Sequence, residues 1–285
     1  MLKKIKYLFE AILIYTFFLF AKIIGLRLSR VFFSHVFKII GPFLKSKKII
    51  NKNLSNFSSS ISIDTKKKII SSMWSNYGMT FIEYVFLKQF REKDSHIKIE
   101  GETILENIVN NKESVIFISG HFANFELMSM EITKRKINLA TIYRPLNNFF
   151  INPFMEYLRK KYICKNQIKK GLVGVKETMK YLNKRHSIAL MIDQRVSEGE
   201  KIKFFNNDAL TTTLPAHLAL KYNIDIVPVF IERNKSSLFK MKVYEPIKPS
   251  LFKNKIEMTK NLNNVLENMI IKNPNQWIWT HDRWK

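Results

Sequence analysis

From Gly101 onward, short apolar runs alternate with stretches of helical period. Ser114–Ser119 is uncharged, rich in β-formers and ended by Gly120, so it reads as a buried strand. Asn138–Tyr143, Ser187–Ile192, Asp225–Phe230 and Phe239–Val243 read the same way, with Ile97–Glu100 as an edge strand. Helical patterns cover Glu102–Asn111, Phe122–Arg135, Phe149–Tyr162, Gly171–Lys184, Leu214–Lys221 and Ile256–Ile271. This alternation predicts an α/β fold with a mainly parallel central sheet flanked by helices on both faces. Upstream, Trp74, Tyr77, Phe81 and Val85 recur at helical spacing within Thr65–Phe90, the mark of a core stripe. Asn51–Asp64 is polar and reads as a turn or loop, and Gly41-Pro42 as a helix break.

The N-terminal pattern is different. Ala11–Ala21 carries no charge, and widening the window to Ile5–Ile24 gives about 30 Å of helix, enough to cross the hydrocarbon. That window admits Lys6, Glu10 and Lys22. The lysines can snorkel, but Glu10 must pair or reach the interface. The preferred reading is a membrane-spanning helix; a helix lying in the interface is the alternative. Gly25–Arg30 offers no Ala-x-Ala-like cleavage site. The chain divides into an anchor, 1–28, a membrane-proximal helical region, 29–100, and an α/β catalytic region, 101–285.

Charge sharpens this division. The net charge is +25, and the first 50 residues hold ten Lys/Arg against the single acid Glu10. No nucleic-acid-binding module is visible. A basic collar beside an apolar segment points instead to an anionic membrane surface. The single cysteine, Cys164, excludes an internal disulfide, fits a reducing compartment and has no base beside it.

The candidate chemistry sits where the Ser114–Ser119 strand ends. His121 lies in the turn, at the edge where open α/β sheets place ligands, and Glu126 in the first helical turns. Pointing back, that carboxylate can hold one ring nitrogen while the other takes a proton from a hydroxyl. Asp193 ends the Ser187–Ile192 strand and emerges at the same edge; as a mere helix cap it would be structural. His-x4-Glu is not a zinc helix, there is no glycine-rich phosphate loop, and no cofactor or metal is implied.

Further blocks follow in order: Tyr143-Arg144-Pro145, Met191-Ile-Asp193-Gln194, Phe204-Phe205, Val227-Pro-Val-Phe230 and the tail Trp277-Ile-Trp279-Thr-His281-Asp-Arg283-Trp284-Lys285. With His121-x4-Glu126, this set resembles the late, lauroyl/myristoyl-type lipid A biosynthesis acyltransferases along the whole chain. The resemblance implies a glycerolipid-acyltransferase-like fold and a bacterial inner-membrane enzyme with its catalytic region in the cytoplasm. It implies acyl transfer from an acyl carrier protein thioester to a hydroxyl of a lipid A precursor, an anionic acceptor. It makes His121 the general base, Glu126 its orienting partner, and Arg159 and Asp193 further catalytic residues, with Arg144, Asn124 and Gln194 at the substrate. A same-fold enzyme acting on another glycolipid or an aminolipid, or an inactive basic membrane-binding protein, is the alternative. His281 is either a second base or part of a tryptophan clamp. The chain departs from the pattern twice: Ala123-Asn-Phe-Glu126 replaces Gly-Asn-Trp-Glu, and Phe204-Phe-Asn206 replaces Phe-Phe-Gly.

Overall fold

The computed structural model describes every residue except Lys235 and Ser237. Its strands are β1 (Ile97–Glu100), β2 (Ile116–Ser119), β3 (Leu139–Tyr143), β4 (Asn166–Lys169), β5 (Ser187–Met191), β6 (Glu200–Phe204), β7 (Asn207–Thr211), β8 (Ile226–Arg233) and β9 (Phe239–Val243). Seven of them form one sheet in the order β1-β9-β8-β2-β5-β3-β4, with β6 and β7 as a separate hairpin. Every neighbour in the large sheet is parallel except the β8–β9 pair. All of β2 is buried, as a central strand covered on both faces must be. The expected α/β sheet is therefore present. Helices α5 (Glu102–Asn110), α6 (Glu126–Lys134), α7 (Asn152–Leu158), α8 (Leu172–Asn183), α9 (Leu214–Tyr222) and α10 (Lys255–Lys272) complete this region.

The N-terminal helices are α1 (Leu2–Leu44), α2 (Lys47–Phe57), α3 (Ile63–Glu83) and α4 (Leu87–Glu92). Helix α1 is not one rod. Gly25 has φ +78° and ψ 169°, outside helical space. The rings of Phe17 and Phe33 lie 5.3 Å apart, as do those of Phe20 and Phe32. In a straight helix those pairs would be separated by about 24 and 18 Å. The chain folds back at Gly25 into two arms that pack on each other. Ser29 closes the bend, its Oγ within hydrogen-bond distance of the carbonyls of Ala21 (3.1 Å) and Gly25 (2.7 Å), between which its single hydroxyl proton is shared.

The expected break at Gly41-Pro42 does not form; the second arm continues to Leu44 with Pro42 in its last turn. Packing against α3 holds it there. A Cβ on Gly78 of α3 would sit 2.2 Å from the Phe33 carbonyl oxygen, so only glycine lets these backbones meet so closely. Asn51–Asp64 is also not a loop throughout, because α2 occupies its first half, capped by Ser46 and burying Ile50 and Leu54. Two strand features escaped the apolar pattern. Edge strand β4 and the β6–β7 hairpin are rich in Lys and Asn, so their burial is set by position and not by composition.

Candidate active site

The parallel strands β2, β5, β3 and β4 all release their chains at one edge of the sheet. There the chain leaves β2 through a tight turn. Phe122 N donates to the Gly120 carbonyl at 2.8 Å, and Ala123 takes φ +42°. The helix expected from Phe122 therefore starts only at Glu126. The turn is held from both sides. Phe122 bridges to Trp277, and Ala123 N donates to the Gln276 carbonyl. Asn76 and Thr80 of α3 both donate to the Ala123 carbonyl, at 3.3 and 2.9 Å.

The turn aims His121 at Asp193 and away from Glu126. His121 Nδ1 lies 2.8 Å from Asp193 Oδ1, and the His121 backbone N–H donates to Asp193 Oδ2, also at 2.8 Å. Trp277 Nε1 is the third donor to this carboxylate, bonding Oδ2 at 2.8 Å. An ionised carboxylate only accepts, so Nδ1 carries the proton and Nε2 keeps its lone pair. Burial works against charge on the His121 ring, but the Asp193 carboxylate overrides it and raises the imidazole pKa above its ordinary value. Burial likewise opposes the Asp193 charge, and the His121 contacts outweigh it and hold that carboxyl below its usual range. The His121 side chain keeps 19% of its surface exposed, enough to meet a reactant.

Glu126, expected to orient the histidine, instead binds Arg159. Arg159 Nε and Nη2 lie 2.8 and 2.6 Å from Glu126 Oε1. The hydroxyl of Tyr84 donates to the same oxygen, and burial followed by the Glu126 charge raises the pKa of that phenol. Arg159 opens a π-helical turn, Arg159–Ile163, at the end of α7, where the backbone bond runs from Cys164 N to the Arg159 carbonyl. That extra residue per turn presents the guanidinium inward, between the rings of Tyr84 and Tyr143. Arg159 is buried with its Nη1 left without a hydrogen-bond partner among the described residues, and its charge opposes protonation of His121.

The other predicted residues separate. Asn124 is buried and donates to Glu83 Oε2 at 2.9 Å. Glu83 is fully buried between Arg30 and Arg233; burial opposes its charge, and the two guanidiniums still hold its carboxyl below the usual range. Gln194 is half-buried beside Asp193 with no side-chain hydrogen bond among the described residues. Arg144 is exposed just past β3. Burial pushes the Cys164 thiol up to about 11, which leaves it inert as a nucleophile. Trp279 and Trp284 donate to the Pro274 and Phe204 carbonyls. Trp277 does more, since it touches Asp193 directly. Tyr84, Glu83 and Arg233 carried no local signal; a lone charge inside an apolar helical stripe, as at Glu83, was the available hint.

The family model for bacterial lipid A biosynthesis acyltransferases matches residues 2–285. No curated protein sequence matches this chain. Among solved structures, the crystal structure of the 1-acyl-sn-glycerophosphate acyltransferase PlsC from Thermotoga maritima is similar at 15% identity and a TM-score of 0.42, covering 89% of this chain and 100% of that one. A family match over nearly the whole length, on a chain whose His121 and Asp193 meet at the sheet edge, places this protein in the bacterial lipid A biosynthesis acyltransferase family, as an acyltransferase.

Proposed function

We propose that the enzyme moves a fatty acyl group from an acyl carrier protein thioester to a hydroxyl of a lipid A precursor, with His121 as general base. The observation that carries this reading is the His121–Asp193 pair, which leaves Nε2 basic and accessible. His121 Nε2 takes the proton of the acceptor hydroxyl as its oxygen attacks the thioester carbonyl carbon. The tetrahedral intermediate collapses by breaking the carbon–sulfur bond. The imidazolium then returns the proton to the departing thiolate. Asp193 fixes the tautomer and stabilises the imidazolium, as the acid does in a catalytic triad. The substrate hydroxyl is itself the nucleophile, so no enzyme serine is needed. The Glu126–Arg159 pair sets the electrostatics behind the ring. A net charge of +25 suits an acidic carrier protein as donor.

The reaction takes place at an inner-membrane surface in this reading, with the catalytic region facing the cytoplasm. Leu8, Phe9, Ile12, Leu13, Leu19 and Ile23 expose apolar surface along the first arm of α1. The opposite side of that arm rests on α3 and on the catalytic region. Asn148 donates to the Tyr7 carbonyl and to Glu10, Tyr15 donates to the Phe150 carbonyl, and Phe18 meets Phe81 and Phe154. Glu10 thus has the polar partner its sequence position demanded. A transbilayer arm would drag Asn148 and its neighbours into hydrocarbon. These contacts support an arm lying in the interface over a spanning one.

Turnover of an acyl carrier protein thioester with a phosphorylated hydroxyacyl-glucosamine acceptor tests the reading. We expect ester formation by wild type and a loss of about 10²-fold or more in His121→Ala. Wild-type turnover by that variant would overturn the base assignment, and transfer only to unrelated lipids would overturn the acceptor.

A further inference from the structure

Next to the His121 edge a cleft of about 280 Å³ opens, lined by Arg144, Lys170, Arg195, Lys285 and His281. Its cations come from successive strand ends. Arg195 follows β5, Arg144 follows β3 and Lys170 follows β4, while His121 follows β2. In the sheet these strands stand side by side in the order β2-β5-β3-β4. At about 4.8 Å per strand, Arg144 and Lys170 are rooted roughly 10 and 14 Å along the edge from His121.

None of the four cations is in an ion pair among the described residues. Arg195 Nε is buried without a hydrogen-bond partner. Two carboxylates, Glu198 and Asp282, share the wall, and Asp282 already faces Lys52 at 3.8 Å. Burial pushes the His281 imidazole pKa down, which favours the neutral ring, so the positive charge of the wall rests on the arginines and lysines. The volume is near the lower limit of small-molecule sites, sized for a head group and not for an acyl chain.

We propose that this cleft binds a phosphate group carried by one of the two reactants, and so anchors that reactant while its reacting end reaches His121. The inference rests on the proposed reactants. Arginine forks and lysine point charges match a phosphate's oxygens, and binding energy gained away from the reacting atoms is available to orient them. The phosphate is either a monoester on the acceptor sugar or the phosphodiester of the donor's pantetheine arm.

Kinetics of Arg144→Ala/Lys170→Ala against wild type test it, with four reactants: phosphorylated and dephosphorylated acceptor, and carrier-protein thioester and a short thioester lacking phosphate. We expect the double variant to raise KM for the phosphorylated reactant by about tenfold or more, with kcat within about threefold. The deficit should vanish on the dephosphorylated acceptor if the acceptor supplies the phosphate, or on the short thioester if the donor does. Wild-type KM in the variant, or a deficit that persists on both phosphate-free reactants, overturns the proposal. If wild type itself turns over no lipid A-type acceptor, the reactant reading fails first. The cleft is then judged by thermal stabilisation with inorganic phosphate at fixed ionic strength. Stabilisation of wild type and not of the double variant upholds it, and equal response overturns it.

Discussion

His121 Nδ1 sits 2.8 Å from Asp193 Oδ1, although the two residues are 72 positions apart and leave neighbouring strands. The raised His121 pKa depends on that carboxylate. A base must be unprotonated to act, so kcat/KM should climb with pH through a limb lying above the free imidazole value of about 6.5. Asp193→Asn should move the limb to lower pH, because the charge that favours imidazolium is gone, and depress the plateau by about 10²-fold or more as the tautomer is lost. A pH–rate profile reads both effects. An unmoved limb with an unchanged plateau would detach Asp193 from the mechanism.

Glu126→Gln should act first on stability. It strands the Arg159 guanidinium, whose side chain is only 11% exposed, without its counter-charge. Breaking one partner of a buried pair costs about 3–5 kcal/mol. Urea unfolding should show a loss of that order, and the pH limb should shift less than in Asp193→Asn. A larger shift than Asp193→Asn would restore Glu126 as the direct partner of the ring.

Trp277→Phe keeps an aromatic ring and deletes one donor to Asp193. A hydrogen bond to a charged group is worth about 1.5–3 kcal/mol, so kcat should drop about tenfold or more with far-ultraviolet dichroism preserved. Trp279→Phe, whose indole serves a backbone carbonyl, is the control and should leave kcat near wild type. Equal kcat in the two variants would reduce Trp277 to a packing residue.

Both departures from the family's glycines fall on left-handed backbone. Phe205 and Asn206 have φ +48° and +60° and form the two-residue turn of the β6–β7 hairpin. Such turns favour glycine in the second place. Asn206→Gly, at an exposed position, should raise stability by about 0.5 kcal/mol in thermal unfolding. Ala123→Gly deletes a buried methyl but relieves φ +42°, and should stay within about 1 kcal/mol of wild type. A loss well beyond that would mean the Ala123 backbone carries no strain.

The first arm of α1 is built into the core: Ala21 is fully buried, and Phe18 packs on Phe81 and Phe154. Removing residues 1–24 should therefore loosen α3 and α7 besides weakening membrane attachment. Limited proteolysis in detergent should find new cleavage near Phe150. Unchanged proteolysis with full release from liposomes would make the arm a simple tether.

Local sequence determined what depends on neighbours along the chain. The period of apolar positions gave β2, β3, β5, β8 and β9 and most helices to within a few residues, because burial on both sheet faces demands continuous apolar runs. Glycine after an apolar strand marked the turn that carries His121. Tertiary structure decided the pairings. Spacing suggested Glu126 as the partner of His121, but the tight turn at 120–125 directs the ring toward β5, and the β2–β5 adjacency brings Asp193 there. The fold-back of α1 at Gly25 was equally hidden, since glycine within an apolar helix reads as tolerated until Phe17 is seen against Phe33. Strand order and helix packing bring together residues far apart in sequence. The contacts that choose a histidine's partner, commit Arg159 to Glu126 and line up cations along one edge exist only once the sheet has formed.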